Sequence, residues 1–441
     1  MTDTEHGLRY SFEDAWLIDG VRTPFVDYTG AFAEVSPIDL GIKAARAVVE
    51  RTGVDPADIG TTIAGSMAQA SFDAYMTPRH IGLYAGVPYQ KPAHLVQRIC
   101  GTGVEVLTQA AELVERGRVE LALCAGAESM SRNPVAAYTH RNGFRMGQVA
   151  FKDFLWEALL DPAVSCTMGD TAENLARDYQ ISREEVDRYA ERSFARAVAA
   201  QESGFLAGEI VPVTSEVFEQ EGYERREIRL PRKVEKVDRD SHVRLSPYEA
   251  LAKIRPAFGG VQTGGNSSAV VDGAAAALVG SKAAAGRTGK PPLARILAAA
   301  SVGVPPHIMG IGPVPAIRAV LEEAGLSLDR IDRFEINEAF GAQVMACAPK
   351  ASLISNRSMR SSDSPASSRT ARIAGTGPIP MMCGGTPTEA AARMRTSGGL
   401  PVRPAAAFEP TSAAAAPSTT AEELPPVWTP PKAGLIFASA S

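Results

Sequence analysis

The sequence predicts an α/β protein with a layered architecture, and three observations support this class. Short apolar runs alternate with segments whose apolar residues recur at helical spacing. Such alternation is typical of buried strands connected by helices. Alanine and glycine are abundant while aromatic residues are only 6% of the chain, which suits closely packed elements. With 441 residues, the chain is long enough for two or more units with their own cores.

The first half of the chain contains most of the strand and helix signals. Residues 15–19, 61–65 and 121–126 are predicted strands. A helix is predicted over 38–52, because Ser36 is a good N-cap and Pro37 suits the first helical turn. A second helix is predicted over 104–114, where Val104, Leu107, Ala111 and Val114 recur at helical spacing.

The residue composition changes between about residues 131 and 260, where charged residues are dense and apolar runs are rare. Helices are expected at 171–179 and 182–203, the second opened by a capping box of Ser182 and Glu185. We interpret this region as an insertion over the core, and its basic residues as either a solvated face or a contact for an anionic cofactor.

Alternation then resumes, with predicted strands at 268–279, 293–300 and 333–336 and a helix at 315–324. A further helix is expected to begin at Asn337. The predicted organisation is therefore an N-terminal unit over 1–285 that includes the insertion, the start of a second unit over 286–350, and a tail over 351–441. The tail is rich in Ser, Pro, Ala and Thr with few aliphatic residues, so we expect it to be largely disordered.

Composition and charge argue against several functional classes. The formal net charge of −5 does not favour a nucleic-acid partner, because such binding needs a basic face. No window reaches the roughly 18 apolar residues of a membrane span, and the polar N-terminus does not resemble a secretory signal. The five cysteines form no CxxC pair, which fits a cytoplasmic protein, and no cluster has metal-ligand spacing.

Cys100 is the candidate nucleophile. It stands just before the predicted helix over 104–114, and Gly101 and Gly103 leave room for a substrate to approach the backbone. A helix N-terminus presents unpaired N–H groups and a partial positive charge, and both stabilise the reactive thiolate. The alternative is that Cys100 is a small buried residue, as most free cysteines are.

Nine short motifs carry a resemblance to a known family. They occupy residues 21–24, 99–103, 124–131, 168–174, 255–258, 265–268, 272–275, 309–315 and 336–340. Each is weak alone. Together, in this order and at these spacings, they resemble the thiolases, which cleave or form 3-oxoacyl-CoA. The resemblance runs from about residue 15 to about residue 347.

The resemblance implies a thiolase-like layered α-β-α-β-α fold with a truncated second half, and it assigns roles by matching position. Cys100 would take the acyl group from a thioester, and Asn337 would position a water that stabilises the carbonyl oxygen. The residues that would line the pantetheine tunnel are Met168, Phe258, Ser268 and Phe340, and Arg244 would meet the phosphates of CoA. As alternatives to these roles, Met168, Phe258 and Phe340 could be ordinary core residues. Ser268 and Asn337 could be helix caps.

The final part of the chain departs from the family pattern. Family members carry a Gly-His-Pro segment, whose histidine takes the proton of the nucleophilic cysteine, and a late Cys-x-Gly-Gly that supplies a second cysteine. Here no histidine follows His307, and Cys383 lies in an unsuitable context between prolines. Since general acid–base help is worth about 10²–10⁴-fold, we expect thiolysis and condensation to be heavily impaired. The abrupt change near residue 348 suggests a shifted reading frame.

Two functions from different classes remain open at this stage. The first is an acyltransferase of the thiolase type, which acts on acyl-CoA and CoA as substrates, needs no metal or bound cofactor, and assembles as a homodimer or homotetramer. The second is a non-catalytic acyl-CoA or lipid-binding protein on the same fold. An unfolded, inactive product is a third possibility, and a ketoacyl synthase is disfavoured by the residues around Cys100.

Overall fold

The computed structural model describes residues 7–68, 71–138, 140–350, 371–375 and 434–440. The strands of the main sheet are β1 (Leu8–Arg22), β2 (Val26–Asp27), β3 (Thr61–Gly65), β4 (Ala93–Val96), β5 (Leu121–Ser129), β14 (Val271–Gly280), β15 (Ala294–Val302), β16 (Ile331–Glu335), β17 (Ala371–Gly375) and β18 (Gly434–Ala440). Four short antiparallel pairs fill the region between β5 and β14, namely β6 (Val135–Ala136) with β7 (Lys152–Asp153), β8 (Leu160–Asp161) with β9 (Cys166–Thr167), β10 (Val213–Thr214) with β13 (Lys236–Val237), and β11 (Glu216–Phe218) with β12 (Arg226–Ile228).

The helices connect and cover these strands. They are α1 (Pro37–Thr52), α2 (Thr77–Tyr84), α3 (Thr102–Glu115), α4 (Phe154–Ala158), α5 (Met168–Asp178), α6 (Arg183–Glu202), α7 (Tyr248–Leu251), α8 (Lys282–Arg287), α9 (Pro313–Glu323) and α10 (Gly341–Lys350). Ser36 caps α1 by accepting from the N–H of Ile38, and Pro37 opens the helix, as the sequence predicts. Both α5 and α6 begin with a capping box, that of α6 formed by Ser182 and Glu185.

The main sheet has the strand order β16-β17-β18-β15-β1-β14-β5-β3-β4, with β2 paired to β14. The strands β3, β4 and β5 are parallel to one another, and β15, β16, β17 and β18 form a second parallel group. Between these groups, β14 and β1 run antiparallel to each neighbour, so β1 joins the two halves through its pairing with β15.

The side chains of β5 show how the layers are built. Leu121, Leu123, Ala125 and Ala127 face the core under α1, whereas Ala122 and Cys124 face the core under α3, because successive strand residues point to opposite faces. The α3 core also includes Ile296 and Ala299 of β15, while Ala298 and Ala300 of the same strand pack under α9. The sheet therefore curls around α3 as the central helix. This gives the α-β-α-β-α layering that the resemblance to the thiolases implies.

Most predicted elements of the first half are confirmed, and two differences lie in the second half. The helix expected to begin at Asn337 begins at Gly341 instead, so Asn337 lies in the segment between β16 and α10 and is not a helix cap. Two parts of the tail are strands, β17 and β18, so the second half is extended beyond the point where we expected it to be truncated. The other tail residues, including Cys383, lie outside the described residues. The expectation that they are disordered stays a prediction.

Among the helices of the described residues, none has the length and apolar character needed to cross a bilayer. The same part of the chain contains no group of three or more His, Cys, Asp or Glu residues placed to hold a metal ion.

Candidate active site

Cys100 lies in the tight turn that joins β4 to the central helix α3. The helix begins at Thr102, so the cysteine precedes its first residue by two positions, as expected from the sequence. Ile99, directly before the cysteine, has a φ of +41°. A β-branched residue seldom adopts this left-handed backbone, and its cost of about 1–3 kcal/mol persists only where surrounding contacts enforce it. The turn therefore holds the cysteine in a single, constrained position.

The hydroxyl of Thr102 helps to hold this turn in its conformation. It accepts a hydrogen bond from the backbone N–H of Arg98 (2.9 Å) and donates one to the carbonyl oxygen of Ile99 (2.6 Å), so it closes the turn from inside. Gly65 at the end of β3 makes room for Thr102, because a Cβ at this glycine would overlap the threonine methyl group.

Arg98 connects the turn to both halves of the fold. Its Nε donates to Glu105 of α3 (2.8 Å), and its NH1 donates to the hydroxyl of Ser301 in β15 (2.8 Å). The ion pair with Glu105 is mostly shielded from solvent. The position of Cys100 is thus tied to the second half of the chain as well as to the first.

The surroundings of Cys100 are apolar. Met67, Met130 and Val270 form a buried cluster, and Cys100 packs against it together with Leu155 and Leu159, among others. Burial raises the pKa of the Cys100 thiol to about 11, while a hydrogen bond with its own backbone N–H lowers it. Desolvation is the largest influence on the pKa of this thiol, and the expectation that the helix start favours the thiolate stays a prediction.

The raised pKa predicts a steep pH dependence of Cys100 reactivity. At a pKa of about 11, roughly one thiol in ten thousand is ionised at pH 7, and this fraction rises about tenfold per pH unit up to pH 10. We therefore expect the rate of alkylation by iodoacetamide, followed at the Cys100 peptide by mass spectrometry, to rise about tenfold per unit between pH 7 and pH 10. A plateau reached near pH 8 would contradict the raised pKa.

Three of the residues expected to line a pantetheine tunnel lie together. The rings of Phe258 and Phe340 meet edge to face with centroids 6.0 Å apart. Phe258 lies over Gly169 of α5, where a Cβ would overlap its ring. Met168 is the residue before this glycine and is only partly buried. These residues form one apolar wall, which is compatible with a tunnel and also with their alternative interpretation as core.

Ser268 joins this wall to the segment that carries Asn337. Its hydroxyl donates to the carbonyl oxygen of Glu338 (2.7 Å), and its N–H donates to that of Ala339 (3.0 Å). Ser268 precedes β14 and caps no helix. The carboxylate of Glu338 accepts from the hydroxyl of Tyr189 in α6, so the Asn337 segment is held from two sides and Asn337 itself is half-buried.

Backbone contacts link the wall to the cysteine cluster. The N–H of Met168 donates to the carbonyl oxygen of Leu159 (3.0 Å), and Leu159 packs in the cluster around Cys100. On the other side, Val270 of the same cluster follows Ser268 by two residues. The cysteine and four of the predicted tunnel residues therefore belong to one continuous region.

Arg244 lies on the outer part of this region and is exposed. Its guanidinium stacks over the ring of Phe194 on α6, 5.3 Å from the centroid, and lies 3.1 Å from Nδ1 of His242. His242 in turn contacts Asp27 (2.7 Å). An exposed guanidinium on an aromatic support is free to meet an anionic group from solvent.

Sequence reasoning gave no role to four residues that shape the surroundings of the cysteine, namely Met67, Met130, Glu128 and Asp272, although the last three lie in the motifs at 124–131 and 272–275. The carboxylates lie on neighbouring strands β5 and β14, and both are buried. A charged residue near the end of an otherwise apolar strand, as at Glu128 in β5, was the available signal, because charged groups are rarely buried without a partner.

Together, the fold and the site define a layered α/β protein with a constrained cysteine at the start of its central helix. The model of the thiolase N-terminal domain matches residues 15–283, and that of the thiolase C-terminal domain matches residues 290–359. The chain belongs to the thiolase family, and its curated relatives are acyltransferases, which supports an acyltransferase enzyme.

Individual relatives and structures agree with this assignment. The chain is 37% identical to human mitochondrial 3-ketoacyl-CoA thiolase over 335 residues, which cover 75% of this chain and 81% of the relative. It is 39% identical to the acetyl-CoA acetyltransferase of Paracoccus denitrificans over 340 residues, covering 75% and 82%. The crystal structure of the human mitochondrial enzyme in complex with CoA superposes with a TM-score of 0.71 at 34% identity, covering 80% of this chain and 86% of that one.

Proposed function

We propose that this protein transfers acyl groups between CoA thioesters through a thioester on Cys100. The sulfur of Cys100 attacks the thioester carbonyl carbon, the bond from that carbon to the sulfur of CoA breaks, and the thiol proton ends on the released CoA. The observation that carries this proposal is the cysteine in a constrained turn, packed against an apolar cluster continuous with the Met168–Ser268 region. Asn337 would position the water that stabilises the carbonyl oxygen as it gains charge.

Intact-mass measurement after incubation with acetyl-CoA tests this proposal. We expect one added acetyl group per chain, formed faster at pH 9 than at pH 7 because the thiolate fraction rises. If no adduct forms while CoA still binds saturably, the alternative of a non-catalytic acyl-CoA-binding protein is favoured. The raised pKa of Cys100 is the observation that keeps this second candidate open.

We further propose that complete turnover is slow. No histidine follows His307 in the sequence, and Cys383 is the one cysteine that follows Cys347. The proton of Cys100 and the charge on departing CoA would then be handled by solvent alone. Loss of general acid–base assistance lowers rates by about 10²–10⁴-fold, so acylation is expected to exceed steady-state thiolysis.

The CoA chain is proposed to lie along Met168, Phe258, Ser268 and Phe340, with its phosphates near Arg244. No bound cofactor or metal is needed in this reaction, because CoA is itself the substrate. The thioether and the aromatic rings offer apolar contact to the pantetheine arm, and an exposed arginine suits a phosphate.

Replacing Gly169 by alanine tests the position of this wall. The new methyl group would overlap Phe258, so the ring must move and the contact with Phe340 is lost. We expect about tenfold weaker CoA binding by calorimetry, with alkylation of Cys100 unchanged. Gly286→Ala in α8 is the matched control, since a Cβ there meets nothing within 4 Å. Equal affinities in both variants would argue against this wall.

We also propose that the chain self-associates as a homodimer or homotetramer. The strand β4 ends the sheet among the described strands, and the nearby segments expose Phe72 (83%), Tyr75 (80%) and Tyr89. An unpaired strand edge beside exposed aromatic residues is suited to pairing with a second copy. Light scattering should give a mass at least twice 46.5 kDa, and a monomer at micromolar concentration would exclude this proposal.

A further inference from the structure

The buried cluster next to Cys100 contains two methionines. Met67 follows β3, Met130 follows β5, and Val270 precedes β14, so three different parts of the fold converge there. The exposed fractions of Met67 and Met130 are 2% and 1%. Cys100 packs against this cluster, so an acyl group bound to its sulfur would be placed next to these side chains.

Buried carboxylates fix the backbone on which both methionines stand. The N–H of Met67 donates to Oε2 of Glu128 (2.5 Å), and the amide of Gln97 donates to the carbonyl oxygen of Met67 (2.9 Å). Charge-assisted hydrogen bonds of this kind are strong, and those of buried groups are costly to break.

The second methionine is held in a similar way. Asp272 is fully buried and accepts from both the N–H (3.0 Å) and the hydroxyl (2.5 Å) of Ser131, the residue after Met130. It also accepts from the N–H of Met130 itself. The two methionines therefore cannot retreat with their backbone when a larger group enters, and only their side chains can yield.

We propose that Met67 and Met130 determine specificity by closing the acyl site, so that Cys100 accepts short acyl groups in preference to longer ones. This inference rests on the proposed acyl transfer through Cys100. A packed interior accommodates extra methylene groups poorly, whereas truncating a buried methionine on a fixed backbone leaves a cavity instead of collapsing. Truncation of either methionine therefore opens room for a longer acyl chain.

Single-turnover acylation measured by intact mass tests this inference, with acetyl-CoA and hexanoyl-CoA at pH 8.5. At this pH Glu128, whose pKa is raised to about 7 by burial, is ionised. The wild-type protein should be acetylated at least tenfold faster than it is hexanoylated. Met67→Ala and Met130→Ala should each raise the hexanoyl-to-acetyl rate ratio at least tenfold. Met130→Leu, which nearly restores the volume, should return the ratio to within threefold of wild type.

Met345→Ala is the matched control. This methionine packs in a separate cluster with Ala342 and Val186, so its truncation should leave the ratio unchanged. Ratios within twofold of wild type in both alanine variants, with acetylation retained and thermal melting still cooperative, would overturn the inference.

A second measurement separates this inference from the proposed function. Alkylation of Cys100 by N-methylmaleimide and N-hexylmaleimide reports the space beside the thiol and needs no CoA chemistry. If wild-type protein is not acetylated, acyl transfer fails as the function. The closed end of the site is still supported if the alanine variants raise the hexyl-to-methyl rate ratio at least tenfold, and it is refuted if that ratio does not change.

Discussion

Replacing Cys100 by alanine is expected to abolish the acetyl adduct completely while leaving the fold intact. The residue is small and only half-buried, so the lost sulfur leaves little unfilled space and the melting temperature should change by no more than a few degrees. Cys124 and Cys347 do not replace it, because their side chains are 2% and 1% exposed and lie out of reach of acetyl-CoA. Intact mass and peptide mapping after acetyl-CoA treatment are the measurements.

Cys166→Ala provides the matched control. Cys166 lies in β9 and is half-buried, so it is as accessible as Cys100 but stands outside the turn before α3. This variant should keep the full adduct. An adduct that persists in Cys100→Ala and disappears in Cys166→Ala would identify Cys166 in β9 as the nucleophile. This result would contradict the assignment of Cys100.

Replacing Ile436 by proline is expected to unfold the second half of the protein. Ile436 is in the middle of β18, which pairs with β15 on one side and with β17 on the other. Proline has no N–H to donate and fits poorly in a strand with neighbours on both sides. We expect a loss of at least about 3 kcal/mol in the free energy of unfolding, seen as aggregation or a large fall in melting temperature.

Ile436→Val keeps the backbone N–H and the β-branched shape, so its stability should lie close to that of wild type. If the proline and valine variants melt at the same temperature, the segment 434–440 does not form a strand in solution. In that case the sequence-based expectation of a disordered tail would hold for these residues. A shared melting temperature would also mean that β15, and not β16, ends the main sheet on this side.

The site in the first half of the chain depends on the second half for its position. Arg98 joins the turn of Cys100 to Ser301 in β15, and β15 is the neighbour of β18. Disruption of β18 should therefore disturb the position of the cysteine through β15. The Ile436→Pro protein, if soluble, is expected to lose acylation as well as stability.

The sequence predicted the local features of this protein correctly. Ser36 and Pro37 mark the start of α1, the apolar run at β3 has its predicted bounds, and Cys100 stands just before a helix. These features depend on residues within a few positions of one another, such as caps, turn residues and periodic apolar side chains. The order of the motifs was enough to identify the family, although no single motif was specific.

Only the tertiary structure decided the state of the thiol and the shape of its surroundings. Met67, Met130 and Val270 are far apart in sequence but pack together beside Cys100, and burial raises the pKa of this thiol. The sequence does not predict the strand at 434–440, because its apolar run at 435–437 is short, and the strand is formed by its pairing with β15 and β17. Desolvation and strand pairing both depend on residues that are distant in sequence. The local pattern of residues therefore does not predict them.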